Sequence, residues 1–267
     1  MIVKDKKYLT ERIRTKKSFL CIGLDPDLKK IPSHYSNSKE PLLDFCLDVV
    51  GATQQYAVSY KINIAFFENH GPEGWHQLEK LVQSIPEDIF IIADAKRADI
   101  GNTSEQYAGY YFKKLNADAL TLHPYMGYDS IEPFLKYQEK WSVILGLTSN
   151  PGSEDFETVI AQDGTYFFEK VLEKFSKNEN AMFVIGATQA VYMKKIRNSV
   201  PNHFLLIPGV GEQGGDLQET VRLLRNDDEG ILINVSRGIL YPKGQDTTMQ
   251  DIEHAAIKYT QTMNSFF

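Results

Sequence analysis

The sequence predicts an α/β fold in which eight strands and eight helices alternate, a (β/α)8 barrel preceded by one extra helix. Short apolar segments rich in Val, Ile and Leu alternate with segments of helical periodicity, as in a parallel sheet buried on both faces. The length of 267 residues suits one such TIM barrel, which typically has about 250 residues. Unusual polar residues also fall at the carboxyl ends of the strands, where these barrels carry their active sites.

The elements follow one another regularly along the chain. A charged helix at 4–17 comes first, and each later strand is a short apolar run followed by a helix. We find no internal repeat and no linker, so a single domain over 1–267 is expected. The strands are predicted at 19–24, 58–67, 90–94, 119–122, 142–147, 182–185, 204–207 and 231–235. The helices after them are predicted at 41–55, 73–84, 130–137, 167–175, 189–198, 217–224 and 249–267, with one more beginning near Asn102 or Thr103, either of which can cap it.

Composition disfavours several classes of protein. The formal net charge is -6, whereas proteins that follow nucleic-acid phosphates need a basic face, so we expect no nucleic-acid partner. No apolar run approaches the ~18 residues of a membrane span, and the basic start lacks a signal-peptide cleavage pattern. Cys21 and Cys46 have neither metal-site nor disulfide-framework spacing and are expected to be reduced and buried. A cytoplasmic protein with no membrane partner is therefore expected.

The most informative stretch is 90–103, F-I-I-A-D-A-K-R-A-D-I-G-N-T. Its apolar run ends in Asp94 and Lys96, which share a face because side chains two apart on a strand point the same way. Asp99 follows beyond the expected end of the strand. Ionised groups at a buried strand face one another or a ligand, and a lysine held between carboxylates keeps its proton. The stretch predicts a site in which Lys96 is a cation and proton donor; the alternative is a salt-bridged strand end without a catalytic role.

Further polar residues lie at other predicted strand ends. Asp25 ends the first strand, and Lys61 lies in the second. Lys61 is either an ordinary snorkelling lysine or, beside Asp94, a member of a Lys-Asp-Lys-Asp array. His123 ends the fourth strand and is left unassigned, because most such histidines are packed and hydrogen-bonded. The segment 149–163 is long for a strand-to-helix connection and is a candidate lid.

The loops after strands seven and eight predict a phosphate site. The string P-G-V-G-E-Q-G-G-D lets the backbone approach a ligand closely, and the helix after it offers unpaired N–H groups to an anion. Arg237, one strand later, can add a bidentate contact to phosphate, and Gln213 can supply a neutral donor. Because these loops are the customary phosphate site of the fold, this interpretation is favoured over glycines that serve packing alone. The glycines are Gly209, Gly211, Gly214 and Gly215.

The string D-A-K-R-A-D-I-G-N-T, with G-L-D-P-D upstream and P-G-V-G-x-Q-G-G-D downstream, resembles the orotidine 5'-phosphate decarboxylase family. The R-A-D-I-G-N-T ending and the chain length are similar to the longer bacterial branch of that family, and the resemblance covers nearly the whole chain. It implies decarboxylation of orotidine 5'-phosphate to uridine 5'-phosphate in pyrimidine biosynthesis, without cofactor or metal. It also implies a homodimer with shared active sites.

The resemblance assigns roles to matching positions. Asp94 and Lys96 would be the central acid and lysine, with Lys61 completing the array, and Lys96 would stabilise the ring carbanion and then protonate it. The residues that would reach into the neighbouring subunit's site are Asp99, Ile100 and Thr103. The residues that would contact the substrate within one chain are Asp25 at the ribose hydroxyls, Ser149 at the pyrimidine edge, and Gln213 and Arg237 at the phosphate, beside Gly209 and Gly211.

Other functions stay open at this point. A metal-dependent sugar-phosphate decarboxylase or aldolase of the same barrel superfamily shares a D-x-K-x-x-D segment, but it would want an acidic metal ligand where this chain has Lys61. A Schiff-base aldolase needs an unprotonated lysine, which a lysine flanked by acids is not. A non-catalytic nucleotide-binding protein would keep the phosphate loop and lose the charged array.

Overall fold

The computed structural model describes residues 2–211 and 214–267, and within these ranges eight parallel strands close into a barrel. Each strand pairs with the next one in the chain, and the eighth pairs with the first. The predicted (β/α)8 barrel with an extra N-terminal helix is therefore confirmed. The strands are β1 Leu20–Leu24, β2 Ser59–Asn63, β3 Phe90–Arg97, β4 Ala119–Leu122, β5 Trp141–Leu147, β6 Ala181–Ile185, β7 Leu205–Pro208 and β8 Ile231–Val235.

The helices surround this barrel. A π-helical turn, Gly109–Lys114, continues α5, and short 3-10 turns occupy Ser33–Asn37, Pro151–Asp155 and Gly244–Asp246. None of the helices in the described ranges combines the length and apolar character needed to cross a membrane. The helices are α1 Lys6–Lys16, α2 Pro41–Thr53, α3 Ala65–Glu68, α4 Gly71–Ser84, α5 Gly101–Ala108, α6 Tyr128–Leu135, α7 Phe167–Phe175, α8 Ala190–Ser199, α9 Leu217–Leu224, α10 Arg237–Leu240 and α11 Met249–Asn264.

The core lies inside the barrel and between the barrel and its helices. All five residues of β1, β6 and β8 are buried, which explains why these strands are almost entirely apolar. α7 shows how a helix joins this core, since Phe168, Val171, Leu172 and Phe175 fall on one face and are all buried. Replacing Leu172 by Ala would leave a cavity costing about 2–5 kcal/mol. Cys21 and Cys46 are buried free thiols, as predicted.

The helix α1 lies at the amino end of the barrel. Asp5 caps it by accepting a hydrogen bond from the N–H of Tyr8, and Leu9 and Ile13 are fully buried. Before the helix, Lys4 Nζ donates to Asp118 Oδ2 at 2.7 Å and to the carbonyl of Ile89 at 2.8 Å. The amino end of the barrel therefore contains a buried ion pair between Lys4 and Asp118.

Two predicted boundaries were wrong in ways that matter for the site. β2 ends at Asn63, and the following residues form α3, which buries Phe67. A continuous apolar run does not distinguish a strand from a helical turn, so 58–67 was predicted as one strand. β3 extends past Asp94 to Arg97, because it continues beyond an irregularity in its pairing with β4.

Candidate active site

A cavity of about 300 Å³ opens at the carboxyl end of the barrel, within the size range of small-molecule sites. Several strands and their following loops contribute to its wall, so residues far apart in the sequence meet there. Seven of the predicted site residues line it: Asp25, Lys61, Asp94, Lys96, Ser149, Gly209 and Arg237.

Asp94 is the centre of the charged part of this cavity. Lys61 Nζ donates to its Oδ2 at 2.7 Å, and Lys96 Nζ donates to its Oδ1 at 2.5 Å. The hydroxyl of Thr121 on β4 donates to the same Oδ1 at 3.0 Å. Three members of the predicted array, Lys61, Asp94 and Lys96, thus meet at β2 and β3, with a contribution from β4 that the sequence did not indicate.

Opposing effects set the protonation of this array. Burial disfavours the charge on Asp94, but Lys61 and Lys96 outweigh it and hold the pKa of the carboxyl well below its usual range. Burial likewise disfavours the charge on Lys61, yet Asp94 and Asp25 raise the pKa of its ammonium above the ordinary value. Asp94 is therefore a carboxylate and Lys61 an ammonium at neutral pH.

The two lysines differ in exposure. The side chain of Lys61 is 8% exposed, whereas that of Lys96 is 51% exposed and faces the open cavity. A ligand that enters the cavity can therefore contact Lys96 directly. Lys61 lies deeper in the barrel, where its ammonium pairs with the buried carboxylate of Asp94.

Lys96 lies in an unusual backbone conformation. Four non-glycine residues in the described ranges have positive φ, and three of them lie at a helix end or in a loop. Lys96, with φ of 49°, is the one within a strand. A left-handed conformation at a non-glycine residue costs of order 1–3 kcal/mol and persists where its surroundings fix it, often at a functional site.

Asp25 faces the array from β1. Ser236 donates to its Oδ2 at 2.5 Å, and Lys61 Nζ lies 3.9 Å from its Oδ1. Among the described residues, this buried Oδ1 has no hydrogen-bond partner. An acceptor left unpaired costs about 1–3 kcal/mol, which a ligand hydroxyl would recover. Tyr241 holds the loop in place by donating to the carbonyl of Asp25 at 2.8 Å.

The loop after β7 has the shape predicted for close approach to a ligand. Gly209 and Gly211 have φ of 94° and 80°, and hydrogen bonds of 3.0 and 3.1 Å join Gly215 to both of them. Gly209 lines the cavity, but Gly211 is not among the lining residues described. Gln213 lies outside the described residues. Arg237 is exposed at the start of α10 and lines the cavity opposite this loop.

The first turn of the helix after this loop already contains a capping carboxylate, and the anion contact expected there stays a prediction. Asp216 caps α9, and its carboxylate accepts the N–H of Glu219 at 2.7 Å. A negative side chain therefore already occupies the first turn of the helix. The N–H of Glu219 is therefore already paired within the helix.

The segment after β5 is anchored at its start and near its middle. The carboxylate of Glu157 accepts hydrogen bonds from the N–H and the hydroxyl of Thr148 at 2.6 and 2.9 Å. Burial raises the pKa of Glu157, although these two hydrogen bonds act against the rise. Ser149 packs against Gly186, where an added Cβ would lie 2.6 Å from the Ser149 nitrogen. The candidate lid is thus tied to the strand end that carries Ser149.

Some predicted site residues lie elsewhere. Among the described residues that line the cavity, Asp99, Ile100 and Thr103 are not found. Asp99 Oδ1 accepts the N–H of Ile100 at 2.7 Å, and Ile100 is 59% exposed. In the described part of one chain, Lys96 pairs with Asp94 and not with Asp99, so the expected lysine between two carboxylates is not formed by one chain.

Sequence reasoning missed several residues of the cavity wall. Asn234 and Ser236 could have been found, since they alternate at the end of the apolar run of β8 and so share a face. Thr121 gave little signal, because a threonine between two leucines is ordinary in a strand. The other missed polar residues are Thr148 and Asn150.

The fold and the site define a class of protein, a (β/α)8-barrel enzyme with a Lys-Asp-Lys array at β2 and β3 and a glycine loop with an arginine beyond it. The model of the orotidine 5'-phosphate decarboxylase / HUMPS family matches residues 18–252. The chain belongs to this family.

Individual relatives agree with the family match. The orotidine 5'-phosphate decarboxylase of Porphyromonas gingivalis is 51% identical over 241 residues, 88% of this chain and 87% of that protein. That of Flavobacterium johnsoniae is 46% identical over 261 residues, 96% of this chain and 95% of that protein. The structure of Leishmania donovani OMP decarboxylase has a TM-score of 0.84 and 35% identity, covering 97% of this chain and 96% of that one.

Proposed function

We infer that this chain is a carboxy-lyase that converts orotidine 5'-phosphate to uridine 5'-phosphate in pyrimidine biosynthesis. The single observation that carries this inference is the array in which Lys61 and Lys96 both donate to Asp94 at the carboxyl end of the barrel. We infer the substrate, orotidine 5'-phosphate, from membership of the family.

In the proposed reaction, Lys96 acts on the ring carbon that loses carbon dioxide. The carbon–carbon bond breaks, its electron pair stays on the ring carbon, and the ammonium of Lys96 stabilises that charge. The same ammonium then supplies the proton that forms the new carbon–hydrogen bond, and Lys96 regains a proton from solvent. Its exposure to the cavity and its contact with Asp94 support this role.

Repulsion between Asp94 and the substrate carboxylate is a smaller contribution. At about 4 Å and an effective dielectric of about 20, it amounts to roughly 4 kcal/mol. Enzymes generally lower barriers by about 8–23 kcal/mol. Most of the effect must therefore come from Lys96 in the transition state, with remote phosphate binding organising the site.

The remaining residues are proposed to hold the nucleotide. The unpaired Oδ1 of Asp25 is suited to the ribose hydroxyls, and Ser149 lies on the wall where the pyrimidine edge would sit. Arg237 and the loop at Gly209 would hold the phosphate, with Gln213 as a neutral donor. We propose that no cofactor and no metal ion take part.

The sugar-phosphate alternative is disfavoured by Lys61. A divalent metal at the end of β2 needs oxygen ligands, whereas this chain places an ammonium there, paired with Asp94. A non-catalytic nucleotide-binding protein would have no need of the array. Both remain distinguishable from the proposed function by activity.

We also propose a homodimer with shared sites and no nucleic-acid partner, located in the cytoplasm as a single domain. The exposure of Ile100 beside Asp99, and of Tyr125 and Met126 in the next strand-to-helix loop, supports an interface there. The two free buried thiols support a reducing compartment.

The test is turnover of orotidine 5'-phosphate by purified protein treated with a chelator, followed by absorbance. We expect full activity after chelation. Activity that disappears with the chelator and returns with magnesium would favour the sugar-phosphate enzyme, and binding of uridine 5'-phosphate without any turnover would favour the non-catalytic protein.

A further inference from the structure

We propose that Thr121 is a positioning residue that holds the backbone of Lys96 and the carboxylate of Asp94 in their reactive arrangement. This inference rests on the proposed function, because Lys96 is the group whose position matters. Thr121 lies on β4, opposite the irregular part of β3.

The pairing of β3 with β4 shows that irregularity. Ala93 pairs with Leu120, and Arg97 pairs with Leu122. β3 therefore advances by four residues while β4 advances by two, so two extra residues of β3 are accommodated against Thr121. Such a bulge re-aims a side chain, and here it contains both Asp94 and Lys96.

The hydroxyl of Thr121 joins two residues within this bulge. It accepts a hydrogen bond from the N–H of Lys96 at 2.9 Å and donates one to Asp94 Oδ1 at 3.0 Å. Lys96 Nζ donates to that same oxygen at 2.5 Å. One hydroxyl thus bridges the backbone and the ion-pair partner of the residue that has a left-handed conformation.

The surroundings leave the hydroxyl little freedom. Thr121 is 1% exposed, and its β-branched side chain has few rotamers in a strand. The far end of the bulge is also fixed, since Arg97 pairs with Glu68 and lies over the ring of Tyr107 at 5.5 Å. The Lys96 N–H bond to Thr121 is therefore the contact that holds the middle of the bulge.

Valine at position 121 would keep the shape and remove both hydrogen bonds. The N–H of Lys96 would then lack this partner, and relaxation of its left-handed backbone would move the ammonium relative to Asp94. A displacement of about 1 Å at a catalytic group can lower a rate about 100-fold. Binding of the phosphate and ribose should not change, because the residues proposed to contact them follow other strands.

The experiment compares Thr121→Val and Thr121→Ser with Thr53→Val in the purified protein. Thr53 is a matched control, because it is also fully buried and its hydroxyl donates to the Val49 carbonyl at 2.7 Å, outside the cavity. The measurements are kcat and KM for orotidine 5'-phosphate, Kd for uridine 5'-phosphate, and the melting temperature.

We expect Thr121→Val to lower kcat about 100-fold while KM and the Kd of uridine 5'-phosphate stay within about twofold. Thr121→Ser, which keeps the hydroxyl, should recover kcat to within about fivefold of the parent. Thr53→Val should lower the melting temperature and leave kcat unchanged. A crystal structure of Thr121→Val should show Lys96 out of the left-handed region.

Three results would overturn the proposal. A kcat within about threefold of the parent in Thr121→Val would show that the hydroxyl is not needed. A rise confined to KM and Kd would make Thr121 a substrate contact, and failure of Thr121→Ser to recover kcat would make its volume the important property. If Thr121→Val does not fold, Thr121→Ala and Thr121→Ser carry the same comparison. If the parent protein itself does not decarboxylate orotidine 5'-phosphate, the proposed function fails, and the Lys96 backbone in the Thr121→Val crystal still tests the positioning role.

Discussion

Buried charges lie at both ends of the barrel, and the two ends differ in how fully those charges are hydrogen-bonded. At the amino end, Lys4 contacts both Asp118 and a carbonyl, and Asp118 also accepts the N–H of Ile91 at 2.8 Å. Arg197 donates to carbonyls that include those of Leu224 and Gly230, and burial lowers its pKa to about 10. Each of these charged groups therefore has partners within the protein.

The charges at the carboxyl end are arranged otherwise. Asp25 keeps one buried oxygen without a hydrogen-bond partner in the described residues, and the Lys96 side chain is half exposed above Asp94. The left-handed backbone conformation of Lys96 adds a free-energy cost at the same end of the barrel. Lys4, Asp118 and Arg197 are thus paired within the protein, whereas Asp25 and Lys96 keep polar atoms available to a ligand.

The largest expected effect is at Lys96. Lys96→Met should lower kcat by at least about 10⁴-fold, because both charge stabilisation and the proton donor are lost. The free energy of unfolding should change by less than about 1 kcal/mol, since a half-exposed ion pair contributes little. Single-turnover kinetics and urea unfolding measure the two quantities. Near-normal turnover in a folded Lys96→Met protein would contradict the mechanism.

A second experiment asks whether the carboxyl end is completed by another chain. Lys96→Ala and Asp99→Ala should each be nearly inactive, and they are unfolded together and refolded at equal concentration. If Asp99 acts across a two-fold interface, random pairing should restore about a quarter of all sites. If it serves its own chain, no activity returns once mass spectrometry has confirmed mixed dimers.

Lys4 should show the opposite balance. Lys4→Met leaves Asp118 without its cation in a buried place, so unfolding should become easier by about 3–5 kcal/mol while kcat stays normal. Lys7→Met is the matched control, because Lys7 is 83% exposed in its pair with Glu11 and should cost less than about 0.5 kcal/mol. Equal losses from the two variants in urea unfolding would remove the distinction between the ends.

Arg237→Ala should weaken binding without affecting the fold. Loss of a charged hydrogen bond to phosphate costs about 1.5–3 kcal/mol, so KM should rise about 10-fold to 100-fold. Arg222→Ala, on α9, is a control outside the cavity wall. A fall in kcat as well would show that phosphate binding is also used in the transition state. An unchanged kcat/KM would exclude Arg237 from the site.

The smallest effect concerns acid. The lowered pKa of Asp94 means that its ion pairs contribute stability above the unfolded value near 4, and that this contribution is lost as pH falls through the folded value. The stability advantage of the parent over Asp94→Asn should therefore be constant from about pH 5 to 7 and shrink below about pH 4. Thermal melting of both proteins over this range checks it, and an advantage that grows on acidification would reverse the sign.

The sequence predicted the features that depend on order along one strand. Asp94 and Lys96 were predicted to share a face near the end of one strand, and both line the cavity. Lys61 lines it as well, although the end of its strand was predicted too far along the chain. Features that depend on pairing between strands were not predictable. The bulge opposite Thr121 requires the β3–β4 register, which no single strand encodes.

Other misses have local causes. Asp216 could have been identified as a helix cap, since it directly precedes the helix, but the glycine string drew attention to an anion instead. Asp99 lies past the end of β3 and does not reach Lys96 of its own chain, so its expected role in a neighbouring subunit's site stays a prediction. Spacing along the sequence gives direction only while the strand remains regular.

Ser236 and Asp25, whose side chains meet at the β1–β8 seam, are separated by 211 residues. During synthesis, this contact can form only after nearly the whole chain has been made, because β8 must be present to pair with β1. Contacts of such long separation are slow to form, so the helices can be present before the seam closes. In refolding, recovery of turnover should lag behind recovery of helical circular dichroism. The delay between the two signals then measures how long the barrel takes to close.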